Sequence, residues 1–165
     1  MNCPSCGAPM CMATGNATLR CDYCGTVVVV KPSDSGLLFL DQVPTELNCP
    51  VCAVPLWNAS IAGVALRACK QCSGMLVSMG VFETLIEKKR AESDGDAIPS
   101  PADPADLNRR LNCPQCRKPL DMHFYLGGGS SVIGGCENCS LNWLDGGVLM
   151  RIVRAPHAGE SDNDY

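Results

Sequence analysis

Six Cys-x-x-Cys pairs, arranged as three matched sets, constrain this chain more than any other feature. The first pair of each set lies in a repeated decapeptide, [Leu/Met]-Asn-Cys-Pro-x-Cys-x-x-Pro-[Leu/Met], beginning at Met1, Leu47 and Leu111. The second pair follows after 14, 16 or 19 residues, about the length of a hairpin. The sets are Cys3, Cys6, Cys21 and Cys24; Cys49, Cys52, Cys69 and Cys72; and Cys113, Cys116, Cys136 and Cys139. Four thiolates on two such turns can surround a d10 ion tetrahedrally and leave no position open. The expected cofactor is Zn2+, three ions, one per four-cysteine site. Iron is the competing metal, because a rubredoxin-like centre uses the same two turns and sulfur ligation alone does not separate the two.

Units of about 30 to 45 residues bury too little surface to fold on apolar contacts alone, and this chain has only two Trp, three Tyr and three Phe. Metal binding supplies the missing stability, since an unfolded chain has no preformed site. Disulfides are the other staple, and they need an oxidising compartment. Cys3 lies two residues after Met1, which leaves no room for a charged n-region and an apolar h-region ahead of the first unit. The apolar runs at 27–30 and 37–40 are far too short to span a bilayer. The expectation is a cytoplasmic chain with reduced, metal-bound thiols and no membrane span.

The fold class expected is a small metal-stabilised α+β protein: three tandem zinc ribbons, each a β-hairpin with zinc knuckles, with short helices after the second and third. The divisions are 1–31 for ribbon one, 32–46 for a linker and 47–92 for ribbon two with its C-terminal helix. An acidic, Pro-rich linker at 93–110 is expected to separate off ribbon three, at 111–155, with its short helix. An acidic tail at 156–165, expected to be disordered, completes the chain. In ribbon one, 14–17 reads as a turn and the β-branched run after Thr26 as a strand. The apolar run at 37–40 reads as an anchor docking on a ribbon, with a partner-binding segment as the alternative. Ser78 is placed to cap a helix carrying Val81, Phe82, Leu85 and Ile86 as an apolar stripe, and Lys88, Lys89 and Arg90 form its solvated end. Asp145 is the corresponding cap candidate ahead of Val148, Leu149, Ile152 and Val153. Residues 122–126 alternate as a strand, and Gly127, Gly128 and Gly129 form a hairpin tip.

Ribbons two and three resemble the small bacterial zinc ribbons named after transcription factor IIB. Those combine Cys-Pro-x-Cys-x-x-x-Leu, a hairpin, and Cys-x-x-Cys-x-Gly-x-Trp-Leu-Asp-x-Gly-Glu-Leu leading into a short helix. Ribbon three carries Cys136 and Cys139 and then Trp143, Leu144, Asp145 and Gly146, but has Leu141 for the usual Gly and Val148 for the usual Glu. Ribbon two keeps Gly74 and Gly80 and replaces the Trp with Leu76, the Asp with Ser78 and the Glu with Val81. Ribbon one, ending in Cys21, Cys24 and Gly25, resembles a more general zinc ribbon. The resemblance implies zinc and a ribbon fold, and no particular activity.

Outside the twelve ligand candidates, Cys11 aligns with Trp57 and Asp121 and reads as a free, partly buried thiol, the alternatives being a redox sensor or an attachment point. His123 reads as a surface polar residue on a strand. The chain has two His, neither placed beside a nucleophile, and no phosphate-binding loop precedes a helix. Trp143 is expected to cover a metal site and pack on the ribbon, with an exposed partner hot spot as the alternative.

These readings favour a non-catalytic zinc-binding protein that acts as a protein–protein interaction or scaffold module, an accessory subunit or adaptor of a larger assembly. The expected partner is a protein. The alternative is a nucleic-acid-binding or transcription-related regulator, with Arg109, Arg110, Arg117, Lys118, Arg151 and Arg154 as phosphate contacts. The net charge of −4 opposes it. Electron transfer through iron is a third class.

Overall fold

The structure, a computed structural model, describes residues 3, 5–8, 11–12, 18–29, 35–93, 102–125 and 131–155. The expected turn at 14–17, the glycine tip at 127–129 and the tail at 156–165 lie outside these residues.

In ribbon one, β1 (Cys11–Met12), β2 (Thr18–Arg20) and β3 (Val27–Val29) form an antiparallel three-stranded sheet. The valine run forms the last strand, as its β-branching requires. Cys11 falls in β1, and its side chain lies outside the described set.

Ribbons two and three share a single sheet. Its strands are β4 (Leu38–Phe39), β5 (Trp57–Ile61), β6 (Val64–Ala68), β7 (Met75–Ser78), β8 (Asp121–Phe124), β9 (Val132–Cys136) and β10 (Leu141–Leu144). They are hydrogen-bonded in the order β4-β5-β6-β7-β10-β9-β8. Each ribbon contributes an antiparallel meander. The last strand of each, β7 and β10, pair with one another: Leu141 faces Ser78, Asn142 faces Val77, Trp143 faces Leu76 and Leu144 faces Met75. The two meanders are therefore related by an approximate two-fold axis through this seam. The linker at 93–110 does not hold ribbon three apart, contrary to the reading of its composition. Its described part includes a 3-10 turn (Pro104–Asn108), opened by the Asp103 side chain accepting from Ala105 N at 2.9 Å, that lies against β8.

The seam exists because both strands have something to bury on both faces. On one face, Ala59, Ile61, Leu66, Met75 and Val77 join Ile133 and Leu144 in a common core. The helices α1 (Met79–Ala91) and α2 (Val148–Arg154) cover it. Phe82, Leu85 and Ile86 from α1 and Val148, Leu149, Ile152 and Val153 from α2 are buried, each contributing roughly 1.5–3 kcal/mol by removal from water. Val81, predicted within the stripe, stays 37% exposed. Leu37 is buried in the same core while Leu38 and Phe39 pair with β5, so the apolar linker run is an anchor.

Ser78 occupies the N-cap of α1 with extended backbone, but its side chain makes no cap bond. Asp145 is not the cap of α2. The helix starts at Val148 behind Gly147, whose φ of 86° only glycine adopts easily, and the Asp145 carboxylate is used elsewhere. The basic end of α1 is only partly solvated. Lys88 is exposed, Lys89 pairs with Glu92 at 3.0 Å, and Arg90 Nη2 donates to the Ile152 carbonyl of α2 at 3.2 Å. No described helix is long and apolar enough to cross a membrane.

Candidate metal centres

Each centre is built from two knuckles, and the local chain geometry is nearly the same in all six. The residue after the second Cys always lies in the left-handed region: Gly7, Gly25, Ala53, Ser73, Arg117 and Ser140, with φ between 51° and 74°. In five knuckles that residue's N–H donates to the carbonyl of the first Cys at 2.8–3.0 Å. The N–H of the first Cys is bonded to the carbonyl five residues on, as in Cys49 N to Val54 O at 2.8 Å. The knuckle at Cys136 departs from this: Ser140 N donates to Glu137 O at 3.2 Å, and the turn is closed by strand pairing of Cys136 with Leu141. Backbone N–H groups also point at sulfur, as in Cys52 N to Cys49 Sγ at 3.3 Å and Gly74 N to Cys72 Sγ at 3.4 Å. Such donors favour thiolate over thiol.

Four of the six left-handed positions hold residues with a Cβ, and the conformation costs about 1–2 kcal/mol at each. Arg117 is exposed, so its side chain loses little on removal. Arg117→Gly is expected to stabilise the metal-loaded protein by about 0.5–1 kcal/mol, read as a raised thermal midpoint. A lowered midpoint would refute the strain.

The sulfurs of Cys3, Cys6, Cys21 and Cys24 lie within 4.8 Å of one another, as do those of Cys49, Cys52, Cys69 and Cys72, and those of Cys113, Cys116, Cys136 and Cys139. The twelve predicted ligands thus come together as the three predicted sets. The closest cross-knuckle separations are 3.4 Å for Cys3–Cys24, 3.7 Å for Cys49–Cys72 and 3.5 Å for Cys116–Cys136. A tetrahedron with metal–sulfur bonds of about 2.3 Å has edges of about 3.8 Å. The donor sets fit Zn2+, and the thiols are free rather than paired in disulfides. Within each site one cysteine per knuckle is buried and its mate faces outward.

The thiols of each site are pulled in opposite directions. In ribbon two, burial pushes Cys49 and Cys72 up, with neighbouring sulfurs adding to the effect at Cys72. Burial also acts on Cys69, but there the N–H groups of Cys72 and Gln71 outweigh it and the thiol is pulled down. In ribbon three, burial and the neighbouring sulfurs push Cys139 up to about 12, whereas the Lys118 N–H helps bring Cys116 down to about 7. A thiol with a raised pKa is protonated at neutral pH and must lose that proton to become a ligand. Metal binding should therefore release protons, and apparent affinity should fall as pH drops and rise as it increases. A weakly buffered zinc titration checks this; affinity independent of pH between about 6 and 8 would contradict it.

Around the sites, Lys70 sits within the second knuckle of ribbon two, its Nζ 3.2 Å from the Trp57 ring centroid and 5.2 Å from that of Phe39. A divalent ion with four thiolates carries a net negative charge, which a cation held there offsets. Nothing in the ligand pattern signals this contact. Trp143 is 1% exposed and packs as expected, but across the seam. A Cβ on Gly74 would lie 2.7 Å from Trp143 Cη2 and 3.2 Å from Cys72 Sγ, so the indole of ribbon three covers the knuckle of ribbon two. Its Nε1 donates to Asp145 Oδ1 at 3.2 Å. Arg109 donates to both oxygens of the same carboxylate through Nη1 and Nη2, so Arg109 ties the linker to the seam.

Comparison with known proteins bears on ribbon two. Residues 48–88 match the transcription factor zinc-finger family. This is the zinc ribbon of transcription factor IIB type, and the match spans the second four-cysteine cluster and most of α1. No curated protein matches the chain, and no solved structure does. The three four-cysteine clusters, the antiparallel sheets and the two helices make this a small metal-stabilised α+β protein compatible with three Zn2+ ions.

Proposed function

We propose that this is a non-catalytic zinc-binding protein that serves as an interaction or scaffold module, an accessory subunit or adaptor of a larger cytoplasmic assembly. The closed form of the sites supports the first part: four sulfurs complete each tetrahedron and leave no position for substrate or water. His123, among the described residues, sits on an exposed edge with its Nδ1 3.6 Å from Asp121 Oδ2, away from the sulfurs. The observation that carries the second part is apolar exposure on the segment leading into ribbon two. On that segment Leu40 is 42% exposed and Val43 71%, and Val51, inside the first knuckle of ribbon two, is 44% exposed; the other exposed large apolar side chains among the described residues, Tyr23, Val27, Val81 and Phe124, lie on other elements. Exposed apolar residues gathered on one segment fit a protein surface.

The test is site-specific crosslinking. A photoreactive side chain at position 43 in the zinc-loaded protein should give a discrete adduct with an endogenous protein, lost on Leu40→Asp. A monodisperse protein that yields no adduct from that segment would overturn the proposal.

The second reading, binding to nucleic acid, is favoured by the family match of ribbon two. Of the basic residues suited to phosphate, Arg110, Arg117, Lys118 and Arg154 are exposed and Arg151 is half-buried, whereas Arg109 is already engaged by Asp145. Salt-sensitive mobility shifts with DNA or RNA, lost on replacing the four exposed residues, would establish it.

A further inference from the structure

Ribbons two and three each hold down the other's second metal knuckle. From ribbon three, the Trp143 indole lies over Gly74 and beside Cys72 Sγ, and Gly146 rests on the Cys72 carbonyl so closely that a Cβ there would overlap its oxygen. From ribbon two, Met79 N donates to the carbonyl of Ser140, the residue after Cys139, at 2.9 Å. The second knuckle of the ribbon-two centre is therefore positioned by side chain and backbone from ribbon three, and that of the ribbon-three centre by a backbone hydrogen bond from ribbon two. The ligands join the same continuous cluster: Cys49, Cys69, Cys113 and Cys136 are buried together with Leu76, Leu141 and Trp143.

The seam also explains two of the departures from the family pattern, Leu76 for the Trp and Leu141 for the Gly. The two-fold relation that sets Trp143 against Gly74 sets Leu76 near Leu141. One half of the seam is large against absent, the other medium against medium. Gly74 does not have a positive φ, so only the indole requires a glycine there.

We propose that the metal centres of ribbons two and three bind as a coupled pair, with Trp143 as the positioning residue that holds Cys72 in ligating geometry. Ribbon one has its own separate sheet and serves as the uncoupled reference. The seam leaves each centre its own four ligands, so coupling acts through knuckle geometry.

The experiment uses the full chain loaded with cadmium-113, so that each four-cysteine site gives its own resonance, titrated with a competing chelator. Replacing Cys113 and Cys136 by Ser disables the third site. It should weaken the second by about tenfold or more while leaving the first unchanged. Trp143→Leu and Gly74→Leu should each weaken the second site and leave the first unchanged. The double variant, which rebuilds this half of the seam on the pattern of Leu76 and Leu141, should recover most of the loss. A second site unmoved by loss of the third overturns the proposal. So do neutral single substitutions, a double variant no better than the singles, or an equal loss at the first site.

Discussion

Stripping the metal is expected to unfold ribbons two and three outright rather than loosen their knuckles. The sulfurs are not appended to a finished core. Cys49, Cys69, Cys113 and Cys136 are 0–4% exposed and form one packed cluster with Leu56, Leu76, Leu120, Leu141 and Trp143. Without an ion, burial keeps Cys49 and Cys113 protonated and the two knuckles of a site have nothing to hold them at tetrahedral spacing. The free energy of a structural zinc site, on the order of 10 kcal/mol, is comparable with the whole stability of a small domain. Excess chelator should abolish the far-ultraviolet signature of the sheet and shift emission from the buried Trp143 to the red, and added zinc should restore both. Native spectra retained without metal would show that the apolar faces suffice. The same preparation identifies the ion, because zinc centres are colourless and iron thiolates are not.

The second large effect comes from an exposed position. Gly146→Ala is expected to destabilise the paired ribbons by about 3 kcal/mol, toward the upper end for inserted volume. The glycine faces solvent and its φ is ordinary, so neither burial nor backbone strain flags it. The obstruction is the Cys72 carbonyl, a backbone atom fixed by the knuckle, which cannot swing aside as a side chain would. Gly80→Ala is the contrasting case. It lies in the first turn of α1 with its nearest neighbour, Ser78 Oγ, at 3.9 Å, so the added methyl should raise stability by about 0.5–1 kcal/mol. Thermal midpoints of the metal-loaded variants should move in opposite directions. A neutral Gly146→Ala would mean that the seam can slide.

The metal sets, the hairpins and the helices were legible because each is specified locally. Cysteine spacing defines a site, β-branching defines β3, and a stripe three and four residues apart defines α1. The seam was not legible. A linker rich in Asp and Pro says how the chain leaves ribbon two but nothing about where ribbon three returns, and nothing in residues 75–78 or 141–144 alone marks them as partners of one another. Asp145 looked like a cap because it precedes an apolar stripe. The Gly146–Gly147 step moves the helix start on, and Arg109 and Trp143 take the carboxylate. Arg109 shows the same limit: its charge is visible in sequence, and its partner 36 positions away is not. The left-handed turn positions were hidden because Ala53, Ser73, Arg117 and Ser140 occupy places where glycine would have announced them.

The mismatch of Trp143 against Gly74 has a consequence for which ribbons can pair at all. In a homodimer of ribbon three, the same register would drive the indole of each copy toward Leu141 of the other, where no room has been left. In a homodimer of ribbon two, Leu76 would face Gly74 and leave a void on both sides. Each ribbon is thus a poor mate for itself and a good one for its neighbour in the chain, so fusion of the two into one polypeptide comes with built-in orthogonality. Many copies of this protein folding side by side should sort their ribbons within chains rather than between them.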